Sequence, residues 1–138
     1  VETLAAVGYF SAPLPAPAPN LPRLANPFGT APVEERARSY LHSNCSGCHR
    51  NGVGRGPADF RFNISFLATN LCNRMPTTGN GGVPGATLMT PMNPGQSLIS
   101  IRTKALDTLR MPPLGSSIVD AQGTALLDAW INSITTCP

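Results

Sequence analysis

Hydrophobic residues recur at helical spacing between positions 33 and 41 of the chain. Val33, Ala37, Tyr40 and Leu41 fall on one face of a helix at intervals of three and four residues. A proline and two glutamates stand at the start of this stretch. Proline suits a first helical turn, and glutamates are favourable there because the N-terminal end of a helix is electropositive. The pattern therefore predicts a helix that begins near residue 32 and runs directly into Cys45.

The C-terminal segment predicts a second amphipathic helix, from Asp120 to about residue 134. Asp120 is a favourable N-cap because its side chain can accept hydrogen bonds from the first backbone amides of the helix. We expect the buried stripe of this helix to consist of four apolar residues at helical spacing, which are Leu127, Trp130, Ile131 and Ile134.

A shorter helix is predicted between these two. The run Asn93-Pro94-Gly95-Gln96 offers a cap residue, a first-turn proline and a glutamine placed for a capping box. We expect the helix that follows to end near Lys104, with Leu98 and Ile101 facing inward. The glycine-rich residues 50–93 are predicted to be mostly irregular.

Residues 1–29 lack this periodicity. Proline alternates with alanine and leucine in their second half, which favours an extended polyproline II spacer. We therefore divide the chain into a proline-rich linker, residues 1–29, and one domain, residues 30–138. The alternative is an N-terminal arm whose leucines and Phe28 pack on the domain. The start, Val1-Glu2-Thr3, has no initiator methionine and no signal-peptide pattern, so we expect a processed chain or a piece of a longer one.

Composition narrows the class of protein. The chain has 138 residues, of which 41% are hydrophobic, with 13 glycines and 15 prolines. Extensive loops and a modest core are therefore expected. A net charge of +3 without a basic run does not favour nucleic-acid binding. No stretch of the sequence approaches the ~20 apolar residues of a membrane-spanning helix.

The run Cys45-Ser46-Gly47-Cys48-His49 matches C-x-x-C-H, the attachment site of c-type haem. Two thiols at this spacing can form thioether bonds to the two vinyl groups on one porphyrin edge. The imidazole of His49 can then bind the iron from one face. A single haem c is the predicted cofactor, and it would supply part of the missing apolar interior.

The second iron ligand decides between an electron carrier and a haem catalyst or gas binder. The remaining histidine, His42, precedes Cys45 by three residues on the same predicted helix. It would approach the haem from the His49 side, so we expect an exposed helix histidine rather than a ligand.

Four methionines are the other candidates for this position. Met111 stands in a loop before two prolines, which would stiffen the loop around a weak thioether ligand. We therefore predict Met111 as the distal ligand. Met75, which also precedes a proline, is the second candidate. Met89 and Met92 are expected to pack in the core or at the haem edge.

Together these features resemble the class I cytochromes c. The resemblance covers about residues 32–134 and depends on three features: C-x-x-C-H closing the first helix, the run Arg110-Met111-Pro112-Pro113, and a last helix that carries Trp130. More narrowly, the runs Ser39 to Cys45 and Asp59-Phe60-Arg61-Phe62 resemble cytochrome domains fused to secreted bacterial oxidoreductases or to proteins of polysaccharide breakdown.

The resemblance implies an all-α fold, a small orthogonal array of helices around the haem, in which the first and last helices cross near Leu41, Trp130 and Ile131. It also implies that Cys45 and Cys48 carry the haem covalently. His49 would be the proximal iron ligand and Met111 the distal one.

The remaining candidates concern the haem surroundings. Cys72 and Cys137 are a leftover pair, which predicts a disulfide in an oxidising compartment. Aromatic residues expected to contact the haem are Phe60, Phe62, Phe66 and Trp130, the last mainly as helix packing. Arginines that could bind the haem propionates are Arg61, ranked first, and Arg55 and Arg110.

The sequence thus predicts a one-electron carrier without catalytic residues, in the bacterial periplasm or outside the cell, where covalent haem attachment takes place. Its partner would be a redox protein or a catalytic domain fused to the same chain. The alternatives are a peroxidase-like haem enzyme or a gas-binding domain with a labile sixth ligand. A mainly structural haem domain inside a larger secreted protein is a further possibility.

Overall fold

The computed structural model describes residues 1–50, 53 and 56–138. It contains four α-helices, α1 (Glu2–Ala6), α2 (Val33–Cys45), α3 (Leu98–Lys104) and α4 (Ala121–Ser133), and three single-turn 3-10 helices, Ala18–Asn20, Leu67–Thr69 and Pro94–Gln96. The described residues form no strand beyond two isolated bridges, Cys72 with Met89 and Thr87 with Ser97. The fold is therefore helical, as predicted. Within these ranges we find no helix whose length and hydrophobicity would allow it to span a membrane.

Helix α2 confirms the first predicted helix. Pro32 is its N-cap residue, and Glu34 in the first turn pairs with Arg38 one turn later, at 3.5 Å. Ala37 and Leu41 are buried. The helix ends at Cys45, where the carbonyl of His42 accepts a hydrogen bond from the amide of Ser46. The C-x-x-C-H motif therefore begins on the last residue of a packed helix.

Helix α4 confirms the predicted cap and the predicted stripe. A carboxylate oxygen of Asp120 accepts a hydrogen bond from the amide of Gly123, at 2.9 Å, so one of the unpaired amides of the first turn is satisfied. The four residues predicted for the stripe are all buried, namely Leu127, Trp130, Ile131 and Ile134.

Helix α3 begins later than predicted. Asn93 makes no capping hydrogen bond through its side chain, because Pro94–Gln96 closes a separate 3-10 turn. The α-helix starts at Leu98, after Ser97, whose hydroxyl donates to the carbonyl of Asn93 at 2.8 Å. Leu98 is buried as expected, but the second buried apolar residue is Ile99. The predicted capping box is therefore wrong, although the predicted helix is present.

Helices α2 and α4 pack directly against each other. Leu41, Trp130 and Ile131 belong to one buried cluster, so the predicted contact is present. At one edge of this contact the ring of Tyr40 covers Gly123, and its hydroxyl donates to Asp120 at 3.0 Å. Burial and this carboxylate raise the pKa of Tyr40 well above its usual range. The phenol is thereby kept protonated as a hydrogen-bond donor.

The N-terminal segment divides into an exposed part and an attached part. Residues 1–10, including α1, which the sequence analysis did not predict, are all exposed. Closer to the domain, the amide of Ala25 donates to the hydroxyl of buried Ser39, and Arg36 donates to the carbonyls of Pro27 and Ala31. The residues just before α2 are therefore fixed to that helix as an arm, while the first ten are not buried.

The structure joins Cys72 to Cys137 in a disulfide, with the two Cα atoms 5.6 Å apart. The prediction of this pair from the leftover cysteines is confirmed. The bond closes a loop with a sequence separation of 65 residues. On the chain-entropy model, such a loop contributes about 4 kcal/mol to stability. The bond therefore ties the end of the chain after α4 to the irregular middle segment.

The substitution Gly123→Ala tests the α2–α4 contact. An added methyl group would overlap with the ring of Tyr40. We expect the free energy of unfolding to fall by about 1–3 kcal/mol, although alanine is intrinsically the better helix former. Denaturant titration followed by circular dichroism measures the change. The matched control is Gln122→Ala, at an exposed position of the same helix. An unchanged or higher midpoint in Gly123→Ala would contradict this packing.

Candidate functional site

An open cavity lies between the end of α2, one face of α3 and the loop that carries Met111. Its described walls are mainly apolar, and they include Leu41, Ala58, Phe60, Leu88, Leu98, Ile99 and Pro112. Cys45, His49 and Met111 also line it. The cavity therefore brings together residues that are far apart in the sequence and that the sequence analysis had assigned to one site.

The turn after α2 aims the motif at this cavity. The carbonyl of Cys45 accepts hydrogen bonds from the amides of both Cys48, at 3.1 Å, and His49, at 2.9 Å. This tight turn places Cys45 and His49 together on the cavity wall. Cys48 is exposed and is not among the lining residues. One predicted attachment residue therefore faces the cavity interior and the other lies toward the solvent.

His49 is held by Phe60. The amide of Phe60 donates to the carbonyl of His49 at 3.0 Å, and the two rings meet edge to face with centroids 5.1 Å apart. Both residues line the cavity. The backbone bond and the ring contact together limit how far the imidazole can move.

The two motif thiols differ in their surroundings. Burial, with a smaller effect of the neighbouring Cys48, raises the pKa of the Cys45 thiol to about 11. Cys45 also stands at the C-terminal end of α2, where the helix dipole disfavours a negative charge. Reactive thiolates need the opposite environment. Cys45 is therefore poorly placed to act as the attacking thiolate in thiol–disulfide exchange.

His42 differs from its prediction. It was expected to be an exposed helix histidine, but it is half-buried, and its Nδ1 accepts a hydrogen bond from the amide of Phe62 at 3.1 Å. It does not line the cavity. The difference arises because the chain after the motif folds back over α2 and brings the backbone of Phe62 against His42. His42 thus has a structural role.

The four methionines separate clearly. Met111 is the one that lines the cavity, and its amide donates to the carbonyl of Arg102 at 2.9 Å. Met89 is fully buried in the core, as expected. Met75 and Met92 are 63% and 60% exposed, so core packing of Met92 is wrong. The cavity thus contains the methionine that the sequence analysis ranked first.

Of the aromatic candidates, Phe60 lines the cavity and the others do not. The guanidinium carbon of Arg38 lies over the ring of Phe62, 5.8 Å from the centroid of that ring. Phe66 packs on Trp130 with ring centroids 5.4 Å apart, inside the α2–α4 core. Phe62, Phe66 and Trp130 thus lie outside this cavity, contrary to expectation: Trp130 is buried between α2 and α4, Phe66 packs on it, and Phe62 lies against α2.

Two of the arginines predicted to bind the haem propionates do not face the cavity. Arg61 was ranked first for binding the haem propionates, but it forms an ion pair with buried Asp59, with Nη2 2.6 Å from Oδ2. The hydrogen bond to Asp59 raises the pKa of Arg61. Arg110 donates to the carbonyl of Pro113 in its own loop. Neither lines the cavity. Arg55 lies outside the described residues.

Arg102 is the site residue that the sequence analysis missed. It lines the cavity from the last turn of α3, and among the described lining residues it is the one with a formal charge. A signal for it exists in the sequence: it follows Leu98 by four residues, and Leu98 was predicted to face inward. One helical turn separates the two, so they share a face.

The Cys45 and Cys48 thiols should differ in reactivity in the haem-free chain. We expect iodoacetamide to alkylate Cys45 at least about tenfold more slowly than Cys48, because burial keeps Cys45 protonated and shielded. Peptide mass spectrometry over time measures both rates. In concentrated urea, the two rates should become similar. Equal rates in the folded chain would contradict the buried position of Cys45.

Comparisons with known proteins return no match to a family model, to a curated protein or to a solved structure. The function of the chain is therefore argued from its own cavity and from the residues that line it.

Proposed function

We propose that this protein transfers single electrons by means of one c-type haem, bound covalently through Cys45 and Cys48, with His49 and Met111 as the axial ligands. The observation that carries the proposal is the meeting of the motif and Met111 at one apolar cavity. The motif residues precede Met111 by 62 positions or more. The fold of the polypeptide alone brings Cys45, His49 and Met111 to one cavity.

The walls of the cavity fit a haem. They are mainly apolar, as a porphyrin face requires, and they present an imidazole and a thioether, the pair of axial ligands found in c-type electron carriers. Within the described ranges, no group of three or more His, Cys, Asp or Glu side chains could hold a bare metal ion. Two protein ligands suit an iron whose other four ligands come from the porphyrin.

When bound, the haem supplies a one-electron exchange between ferric and ferrous iron, and methionine ligation favours the ferrous state. The chain's own residues hold the two ligands. Phe60 fixes His49 through the backbone and the ring. Pro112 and Pro113 line the cavity beside the Met111 sulfur and offer no backbone N–H there.

The cavity has little provision for proton transfer. Apart from His49, its described lining includes no aspartate, glutamate, lysine or histidine. A peroxidase-like reaction needs a distal acid or base to move protons. An electron carrier needs none. The lining therefore favours electron transfer over the haem-enzyme alternative.

We further propose that the protein acts in the periplasm or outside the cell and exchanges electrons with a redox protein or a catalytic domain of the same chain. The Cys72–Cys137 disulfide supports an oxidising compartment. The exposed residues 1–10 and the proline-rich stretch after them support a tether to another domain.

Met111→Ala should abolish the methionine-to-iron charge-transfer band of the ferric holoprotein, because the thioether is removed from the cavity. Optical spectroscopy at neutral pH measures the band. The matched controls are Met75→Ala and Met92→Ala, which remove exposed methionines and should leave the band intact. A band that survives in Met111→Ala and disappears in one of the other variants would transfer the ligand to that residue.

Carbon monoxide distinguishes the closed carrier from an open site. We expect the ferrous holoprotein to bind carbon monoxide slowly, because Met111 must first leave the iron. Met111→Ala should bind it at least about a hundredfold faster, since no protein ligand then competes. Stopped-flow mixing measures both rates. Rapid binding by the unmodified protein would favour the gas-binding or enzymatic alternative.

A further inference from the structure

The loop that carries Met111 is anchored to α3 at one residue. The amide of Met111 donates to the carbonyl of Arg102 at 2.9 Å, and Nε of Arg102 donates to the carbonyl of Leu109 at 2.8 Å. One residue of α3 thus holds the loop on both sides of Arg110. The first bond uses only the backbone, but the second needs an N–H at the position of the arginine Nε.

The other hydrogen bonds of this loop, residues 107–116, stay within it. Asp107 accepts from the amides of Leu109 and Arg110, and the guanidinium of Arg110 donates to the carbonyl of Pro113. Among the hydrogen bonds between described residues, the two to Arg102 are those that connect the loop to a helix. The internal hydrogen bonds fix the conformation of the loop, and the bonds to Arg102 fix the position of the loop relative to α3.

Helix α3 is in turn fixed to the core. Ser100 donates to Asp128 of α4 at 2.6 Å, and Lys104 forms an ion pair with the same carboxylate. Leu98 and Ile99 of α3 are buried. Since α4 packs on α2, the position of Arg102 is linked through these contacts to the helix that ends at Cys45.

We propose that Arg102 is the positioning residue for the distal iron ligand, and that its side-chain bond to Leu109 holds the Met111 sulfur in the cavity. This inference rests on the proposed function. A thioether is a weak ligand, so its residence on the iron depends on how firmly the loop is held. Loss of one hydrogen bond from a charged donor would raise the population of the loop with Met111 displaced by about tenfold to a hundredfold.

The test uses the holoprotein with Arg102→Leu and Arg102→Lys. Leucine retains apolar volume without a donor. Lysine retains the charge but has a carbon atom where the arginine has Nε. The matched control is Arg23→Leu, which removes the guanidinium of an exposed arginine that does not line the cavity.

The readouts are the ferrous carbon monoxide rate and the charge-transfer band during denaturant titration, with helicity followed in parallel. For both Arg102 variants we expect carbon monoxide binding at least about tenfold faster, and loss of the band at a denaturant concentration where the helices are still intact. Arg23→Leu should behave like the unmodified protein. A role of Arg102 in stability alone would instead shift the band and the helicity together.

Each contrary outcome has a separate meaning. If the unmodified holoprotein shows the band and both Arg102 variants match it in the two readouts, the positioning role is overturned and the proposed function stands. If Arg102→Lys matches the unmodified protein while Arg102→Leu does not, charge rather than the Nε bond is responsible, and the inference fails. If the unmodified holoprotein lacks the band, the proposed function and this inference fail together.

Discussion

Tyr40 of α2 lies over Gly123 of α4, and its hydroxyl donates a hydrogen bond to Asp120, the residue that caps α4. Next to this contact, Leu41, Trp130 and Ile131 are buried in one cluster. The remaining chemistry depends on this helix pair, because α2 ends at Cys45. The turn that follows can direct His49 into a fixed cavity only while the last turn of α2 is itself fixed.

A chain with this much glycine and proline has few other means of holding a site. The described core is small, and long irregular segments surround the cavity. Three local devices compensate. The disulfide closes the end of the chain on the middle segment, Phe60 holds His49, and Arg102 holds the Met111 loop. A haem in the cavity would add the apolar contacts that the polypeptide lacks, so its attachment and the stability of the fold would be coupled.

The sequence predicted the parts of this structure that local rules control. Periodicity and an aspartate cap located α2 and α4, and leftover cysteines located the disulfide. The predictions failed where the outcome depends on which direction a loop takes. Phe62 and Arg61 have suitable chemistry for a haem pocket, but the chain after the motif turns them toward α2 and Asp59. Arg102 was missed because charge on a short helix usually faces the solvent. Helix α1 was not predicted because residues 1–29 were assigned to one proline-rich linker.

The proposed function requires that this chain carry one haem, bound covalently through Cys45 and Cys48. The most direct measurement is the intact mass of the protein after expression with a cytochrome c maturation system, followed by denaturation and acidic acetone extraction. We predict that the chain retains the mass of one haem, and that replacing both motif cysteines by alanine removes it. An unmodified mass, or a haem that acetone extracts completely, would contradict the account.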